Sequence, residues 1–197
     1  NVDTAAATRR GIIVMNTPGG NTISTAEHTI SMMLSLARKI PQAYRSMREG
    51  KWDKKKFTGV EIAGKTLGIF GLGRIGQEVV RRMKAFDMSV VGYDPFISQD
   101  RMRQLGIEAL NVDQICERAD FITIHTPLSA ETKDLINEER INKMKKTVRI
   151  VNCARGGIAN EDALLKALQE GRIAGAALDV YSSEPLAEDH PFRELDN

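Results

Sequence analysis

"LGIFGLGRIGQEVVRRMKAFDMSVVGYDP", residues 67–95, sets apolar residues on both sides of three closely spaced glycines. Gly71, Gly73 and Gly76 fit the spacing G-x-G-x-x-G, a string that gains meaning only from its surroundings. Here an apolar run at 66–70 precedes it and an amphipathic helix carrying Ile75, Val79, Val80 and Met83 starts within it. A second apolar run follows at 89–93. In such a strand–turn–helix the first glycine permits a tight turn, the second lets the backbone approach a pyrophosphate, and the third lets helix and strand pack closely. The start of the helix adds free N–H groups and a positive dipole end. Arg74 stands there as either an added positive charge or a solvated surface residue. Asp94 closes the second strand 18 residues after Gly76, where an acid accepts the adenosine ribose hydroxyls and repels a 2′-phosphate. The stretch predicts a dinucleotide site that prefers NAD to NADP.

Outward from this motif, strands and helices alternate. Helices are predicted near 99–105, 112–118 and 160–170, the last opened by Asn160 and stopped by Gly171. A short segment follows at 107–110, and strands are predicted at 120–125, 148–152 and 174–180. Continuous apolar strands alternating with helices imply an α/β chain of the Rossmann type, a doubly wound parallel sheet with helices on both faces. On the amino-terminal side, a short helix over 4–10 ends at Gly11, 12–16 reads as a strand, and 17–21 reads as a turn. Ser24 and Glu27 have the spacing of a capping box. Beyond them Ile30, Met33, Leu34, Ala37 and Ile40 mark one face of a long helix, widened by Met32 and Leu36, which Pro41 limits. That face is either core or a subunit interface.

With 197 residues, 42% hydrophobic and 27% charged, the chain suits one globular domain with a small appendage. A net charge of +2 gives no reason to expect nucleic acid or a membrane surface as a partner. No apolar stretch reaches the roughly 18 residues of a spanning helix. Two cysteines, Cys116 and Cys153, without C-x-x-C spacing speak against disulfides and structural zinc, so no metal is expected and a reducing, cytoplasmic setting is. The chain opens on Asn1, already mid-domain in character. It is read as an excised segment, with 1–16 the remnant of a substrate-binding domain and 17–197 the nucleotide-binding domain.

In open α/β sheets ligands sit outside the carboxyl ends of the strands. "HTP" (125–127), "NCARGG" (152–157) and "DVYSSEP" (179–185) fall there. Taken bare, His125 is a structural histidine, Cys153 a small packed residue, and Asp179 and Glu184 surface acids. Arg155 is either half of a plain salt bridge or a fork that grips a carboxylate through two parallel hydrogen bonds.

These segments, in this order and spacing, resemble the D-isomer-specific 2-hydroxyacid dehydrogenase family over essentially the whole chain. "GLGRIG", "HTPL", "NCARGGI" and "AALDVYSSEP" carry the resemblance. It implies an NAD-dependent oxidoreductase acting on a small, here phosphorylated, 2-hydroxy acid. It also implies Arg74 and Ile75 at the pyrophosphate, Asp94 on the ribose, and Thr126 and Pro127 at the adenosine half. Cys153, Ala154 and Arg155 would lie on the nicotinamide side, with Asp179 near the carboxamide. Arg155 and Glu184 match two catalytic residues of the family, the first binding the substrate carboxylate and the second holding a histidine base. The family carries that histidine in a "PH-G" segment expected beyond Asn197. His28, His125 and His190 do not match it, so the segment alone is expected to be weakly active or inactive. Pairing into a homodimer through the long helix and the region of Trp52 is a further implication. Dehydrogenation of another 2-hydroxy acid, or a non-catalytic NAD-binding module, are the alternatives.

Overall fold

In the computed structural model, residues 2–197 are described; the reading of residue 1 lies outside them. The elements follow one another as α1 (Thr4–Arg9), α2 (Thr22–Arg38), α3 (Ile40–Arg48), β1 (Thr66–Phe70), α4 (Arg74–Ala85), β2 (Ser89–Tyr93), α5 (Gln99–Gln104), β3 (Glu108–Ala109), α6 (Val112–Arg118), β4 (Phe121–Ile124), α7 (Glu138–Lys143), β5 (Arg149–Asn152), α8 (Glu161–Gln169) and β6 (Gly175–Leu178). The strands form one parallel sheet in the order β3-β2-β1-β4-β5-β6. The chain thus runs outward from β1 to β3, then returns to the other side of β1 to start β4. That reversal opens a crevice between the carboxyl ends of β1 and β4, where open sheets bind ligands.

Both faces of the sheet are covered, which is why its strands read as unbroken apolar runs rather than alternating ones. On one face Leu67, Ile69, Phe121 and Val151 pack with Ala26, Ile30 and Met33 of α2 and Val79, Val80 and Met83 of α4. On the other, Phe70, Ile122, Ile124 and Ile150 pack with Ile115 of α6, Ile141 of α7 and Leu164 and Leu168 of α8. The apolar face of α2 is therefore core, stacked on α4 and on β5 and β6.

Four local expectations are corrected. Residues 12–16 form no strand; Ile13 and Met15 are exposed, because an apolar run becomes a strand only beside a partner ladder. The N-cap of α2 is Asn21, and the Ser24 hydroxyl donates to the Asn21 carbonyl at 3.0 Å instead of closing a capping box with Glu27. Lys39 ends α2 in the left-handed conformation, which turns Ile40 out of the apolar face. Pro41 then sits in the first turn of α3, where its fixed φ and missing N–H cost nothing, so it starts a helix that the sequence pattern did not show. The six-residue α7 was also unforeseen, since its one buried side chain, Ile141, gives no periodicity.

Asp120 pins the start of the sheet. Its carboxylate accepts the Thr66 N–H at 2.9 Å and the Lys145 ammonium at 2.9 Å. Burial pushes its pKa up, but the Thr66 and Lys145 hydrogen bonds and the nearby lysine charges outweigh burial and hold it below the ordinary 3.8. A carboxylate whose folded pKa is depressed stabilises the fold above its unfolded pKa, and that contribution disappears as pH falls through the folded value. Asp120→Ala is expected to cost about 2 kcal/mol near neutrality, the scale of hydrogen bonds to a charged group. Urea unfolding at pH 7 and pH 3 checks this: the gap from wild type should shrink at the lower pH, and a constant gap contradicts the assignment.

Candidate active site

The glycine loop is built from close contacts. Gly71 has φ +91°, a conformation side chains rarely adopt, and a Cβ there would lie 2.7 Å from the His125 carbonyl carbon. Gly76, in the first turn of α4, would place a Cβ 2.2 Å from the Gly71 oxygen. Gly73 differs, since a Cβ there would meet nothing within 4 Å. It is the N-cap of α4 and no side chain caps the helix, so the first N–H groups face that open side.

Two side chains hold the loop: Asp94, in a bracing role the motif does not announce, and Gln77. Asp94 accepts the Leu72 N–H at 2.7 Å through one oxygen and the Phe96 N–H at 2.8 Å through the other. Gln77 donates to the Leu72 carbonyl at 2.7 Å. Asp94 therefore braces the turn, and each oxygen keeps a lone pair for another donor.

Beside the loop lies a crevice of about 690 Å³. Ile75, Thr126, Pro127, Cys153, Ala154, Arg155 and Asp179 line it together with the first turns of α2, whose Asn21, Ser24, Thr25 and His28 complete one wall. Gly71, Gly73, Arg74, Gly76 and Asp94 belong to the adjoining loop. Glu184 is not among the lining residues; it is exposed in the loop after β6, where its carboxylate accepts the Tyr181 N–H at 3.0 Å. The backbones of this loop and the 155–157 turn touch, for a Cβ on Gly156 would lie 2.0 Å from Tyr181. Another cavity, of about 410 Å³, lies among Lys39, Arg45, Arg149 and Ala174 at the amino ends of β5 and β6, away from the carboxyl edge.

The electrostatics are uneven. Among the described residues no carboxylate pairs with Arg74 or Arg155, although the surface elsewhere is laced with ion pairs. The Arg155 guanidinium donates to the Ala154 carbonyl at 2.6 Å, leaving most of its donors free. Asn152, buried, clamps the turn by donating to the Arg155 carbonyl at 2.9 Å and accepting the Ala154 N–H at 3.0 Å. Burial pushes the Cys153 thiol up to about 11, so it is protonated at neutral pH and no nucleophile. Burial lowers His125 to about 4; neutral, it shares a hydrogen bond with the Thr123 hydroxyl at 3.0 Å, as a structural histidine does. His190 caps the turn Pro191–Glu194 and packs on Phe192. His28, passed over in the sequence because it sits within a helix, faces Asp179 at 3.2 Å.

A nucleotide fits these residues. The Thr126 hydroxyl oxygen is buried without a hydrogen-bond partner, which calls for a polar ligand or water. Open space at Gly73 and two unpaired guanidinium groups suit a pyrophosphate and a carboxylate. The sequence profile described as D-isomer specific 2-hydroxyacid dehydrogenase, NAD binding domain, matches residues 30–197. This chain belongs to that family.

Within the D-isomer-specific 2-hydroxyacid dehydrogenases it is the NAD-binding domain, and its cofactor is NAD. It is 54% identical over 197 residues to D-3-phosphoglycerate dehydrogenase of Archaeoglobus fulgidus, all of this chain and 37% of that protein. It is 58% identical over 185 residues to that of Rattus norvegicus, 94% of this chain and 35% of that protein. The chain thus spans about a third of the length of these relatives. Among solved structures, the NAD-dependent formate dehydrogenase of Staphylococcus aureus in complex with NAD matches with a TM-score of 0.86 and 39% identity, covering 98% of this chain and 58% of that one. The apo D-lactate dehydrogenase of Escherichia coli matches with a TM-score of 0.88 and 35% identity, covering 98% and 60%. Among the described residues no helix is long and apolar enough to cross a membrane.

Proposed function

We propose that this domain serves an NAD-dependent D-3-phosphoglycerate dehydrogenase, which oxidises the C2 alcohol of a phosphorylated 2-hydroxy acid to a ketone as the entry to serine synthesis. The observation that carries the reading is the unpaired Arg155 at the crevice, in a chain more than half identical to proteins of that name. NAD supplies a hydride acceptor when bound. Gly71 and Gly76 would shape the loop that brings Gly73, Arg74 and Ile75 against its pyrophosphate, with Asp94 at its ribose, Thr126 and Pro127 at its adenosine half, and Cys153, Ala154 and Asp179 at its nicotinamide end. Arg155 grips the substrate carboxylate and so fixes which face of C2 is turned to the acceptor. The hydroxyl proton leaves to a histidine base held by Glu184 as the C2–H electron pair departs and the C=O forms. None of His28, His125 and His190 is placed as that histidine, and residues 1–16 are proposed to belong to a substrate-binding domain.

A panel of 3-phosphoglycerate, D-glycerate, D-lactate and glyoxylate, run on a longer protein carrying this sequence, tests the substrate. Preference for an unphosphorylated acid overturns it. The 197-residue chain alone is expected to bind NADH with little or no turnover; brisk turnover would mean the base has been misplaced. Fluorescence titration should also show NADH bound at least tenfold tighter than NADPH, with Asp94→Ala narrowing the ratio by removing the acid that repels the 2′-phosphate. An unchanged ratio contradicts that role.

Pairing into a homodimer is proposed through α3 and the segment after it, not through the buried face of α2. Ile40, Tyr44, Met47 and Trp52 are all exposed, with Met47 and Trp52 lining one shallow cavity, an apolar patch a monomer would leave in water. Light scattering should give twice the chain mass, reduced to one by Trp52→Glu; a monomeric mass at high concentration overturns the dimer. The setting is taken to be cytoplasmic, in keeping with two free thiols.

A further inference from the structure

We infer that His28, Cys153 and Asp179 form a binding site for a thiophilic divalent cation, with Zn²⁺ the fitting ion, on the floor of the crevice. The three come from α2, the end of β5 and the end of β6, and their nitrogen, sulfur and carboxylate oxygen atoms lie within 4.8 Å of one another. The His28 Nε2 and Asp179 Oδ1 are 3.2 Å apart. Around a tetrahedral zinc with bonds of roughly 2.0–2.3 Å, neighbouring ligand atoms sit about 3.3–3.5 Å apart. The nitrogen–oxygen edge is within about 0.1 Å of that spacing, and closing the sulfur corner takes a shift of at most about 1.3 Å.

The scaffold is firm, because α2 packs directly on both β5 and β6. The His28–Asp179 contact accounts for two of the groups, and Cys153, packed in the core with its thiol beside Thr29, adds a sulfur donor at the third corner. One imidazole, one thiolate and one carboxylate make a donor set that favours zinc over magnesium or calcium, which take oxygen ligands. Three protein ligands leave the fourth position open to the crevice, the form of an exchangeable site rather than a closed structural one. His28 and Asp179 are each about half exposed, at 48% and 49% of their side chains, so an ion reaches them from solvent. Binding releases the Cys153 proton to water. If Asp179 lies at the nicotinamide carboxamide, which rests on the reading above, the ion and the coenzyme exclude one another.

The test titrates the reduced, chelator-treated chain with Co²⁺, then with Zn²⁺. One cobalt per chain should give intense four-coordinate visible bands and a thiolate-to-cobalt charge-transfer band, both lost when zinc displaces it. Cys153→Ser should abolish the charge-transfer band, and both it and His28→Gln should weaken zinc binding at least tenfold, whereas millimolar Mg²⁺ should not compete. A charge-transfer band surviving in Cys153→Ser, or zinc affinity unchanged in His28→Gln, overturns the site. An NADH titration with and without zinc separates the two readings. Zinc bound at these side chains with NADH undisplaced overturns the nicotinamide placement and leaves the metal site standing. NADH displaced without any cobalt–thiolate band overturns the metal site.

Discussion

Gly76→Ala is expected to destabilise the domain by about 2 kcal/mol or more and to abolish measurable NADH binding, whereas Gly73→Ala, at the N-cap of α4, should cost no more than about 1 kcal/mol and still lose at least tenfold in NADH affinity. The two differ by what a methyl group would meet. At Gly76 it would lie 2.2 Å from the Gly71 oxygen, a backbone atom that no rotamer change removes. Gly71 is held in place by its N–H, which donates to the Tyr93 carbonyl at 3.0 Å. The gain of roughly 1 kcal/mol in helix propensity from glycine to alanine does not offset overpacking of 1–3 kcal/mol with a displaced loop added to it. At Gly73 the backbone is extended and the space is open, so alanine is accommodated and only an approaching pyrophosphate would feel it. Urea unfolding and NADH fluorescence on both variants check the pair. Wild-type NADH affinity in Gly73→Ala would show that the phosphates do not approach there.

The glycine motif was legible because its physics is local. Strand, turn and helix are consecutive, so the tightness at Gly71 and Gly76 is imposed by residues a few positions away. The same holds for α8, whose Asn160 cap accepts the Ala163 N–H at 2.9 Å. What the sequence hid depends on partners distant along the chain. Residues 12–16 have strand composition, yet composition does not supply a neighbouring ladder. Pro41 forbids continuing a helix and equally permits starting one, and only the left-handed Lys39 decides between them. His28 looked like any polar residue in a helix until folding carried it to Asp179, and the Asn152 clamp on the Arg155 turn was equally invisible. Motif and resemblance named residues that the fold brings to one crevice and its adjoining loop, whereas the side chains that brace them were not readable.

Arg155→Ala, in a dehydrogenase assembled around this domain, is expected to lower kcat/KM about 10³-fold while NADH affinity changes by less than about threefold. A guanidinium in an ion pair would have to give up one carboxylate to take another, and the gain would be small. Arg155 has no such partner, and its turn is fixed by Asn152 from beneath. The backbone of its turn is therefore already ordered, and two charge-assisted hydrogen bonds to a carboxylate, at roughly 1.5–3 kcal/mol each, are available against the rotamer entropy of one arginine side chain. Losing about 4 kcal/mol corresponds to that factor of a thousand. Arg155→Lys should recover only part of it, since an ammonium places a charge but does not present two parallel N–H groups in a plane. Steady-state kinetics of both variants beside an NADH titration give the answer. A fall in NADH affinity that matches the fall in kcat/KM would move Arg155 from the substrate to the coenzyme, and a lysine variant as active as wild type would remove the bidentate grip on which the orientation of C2 depends.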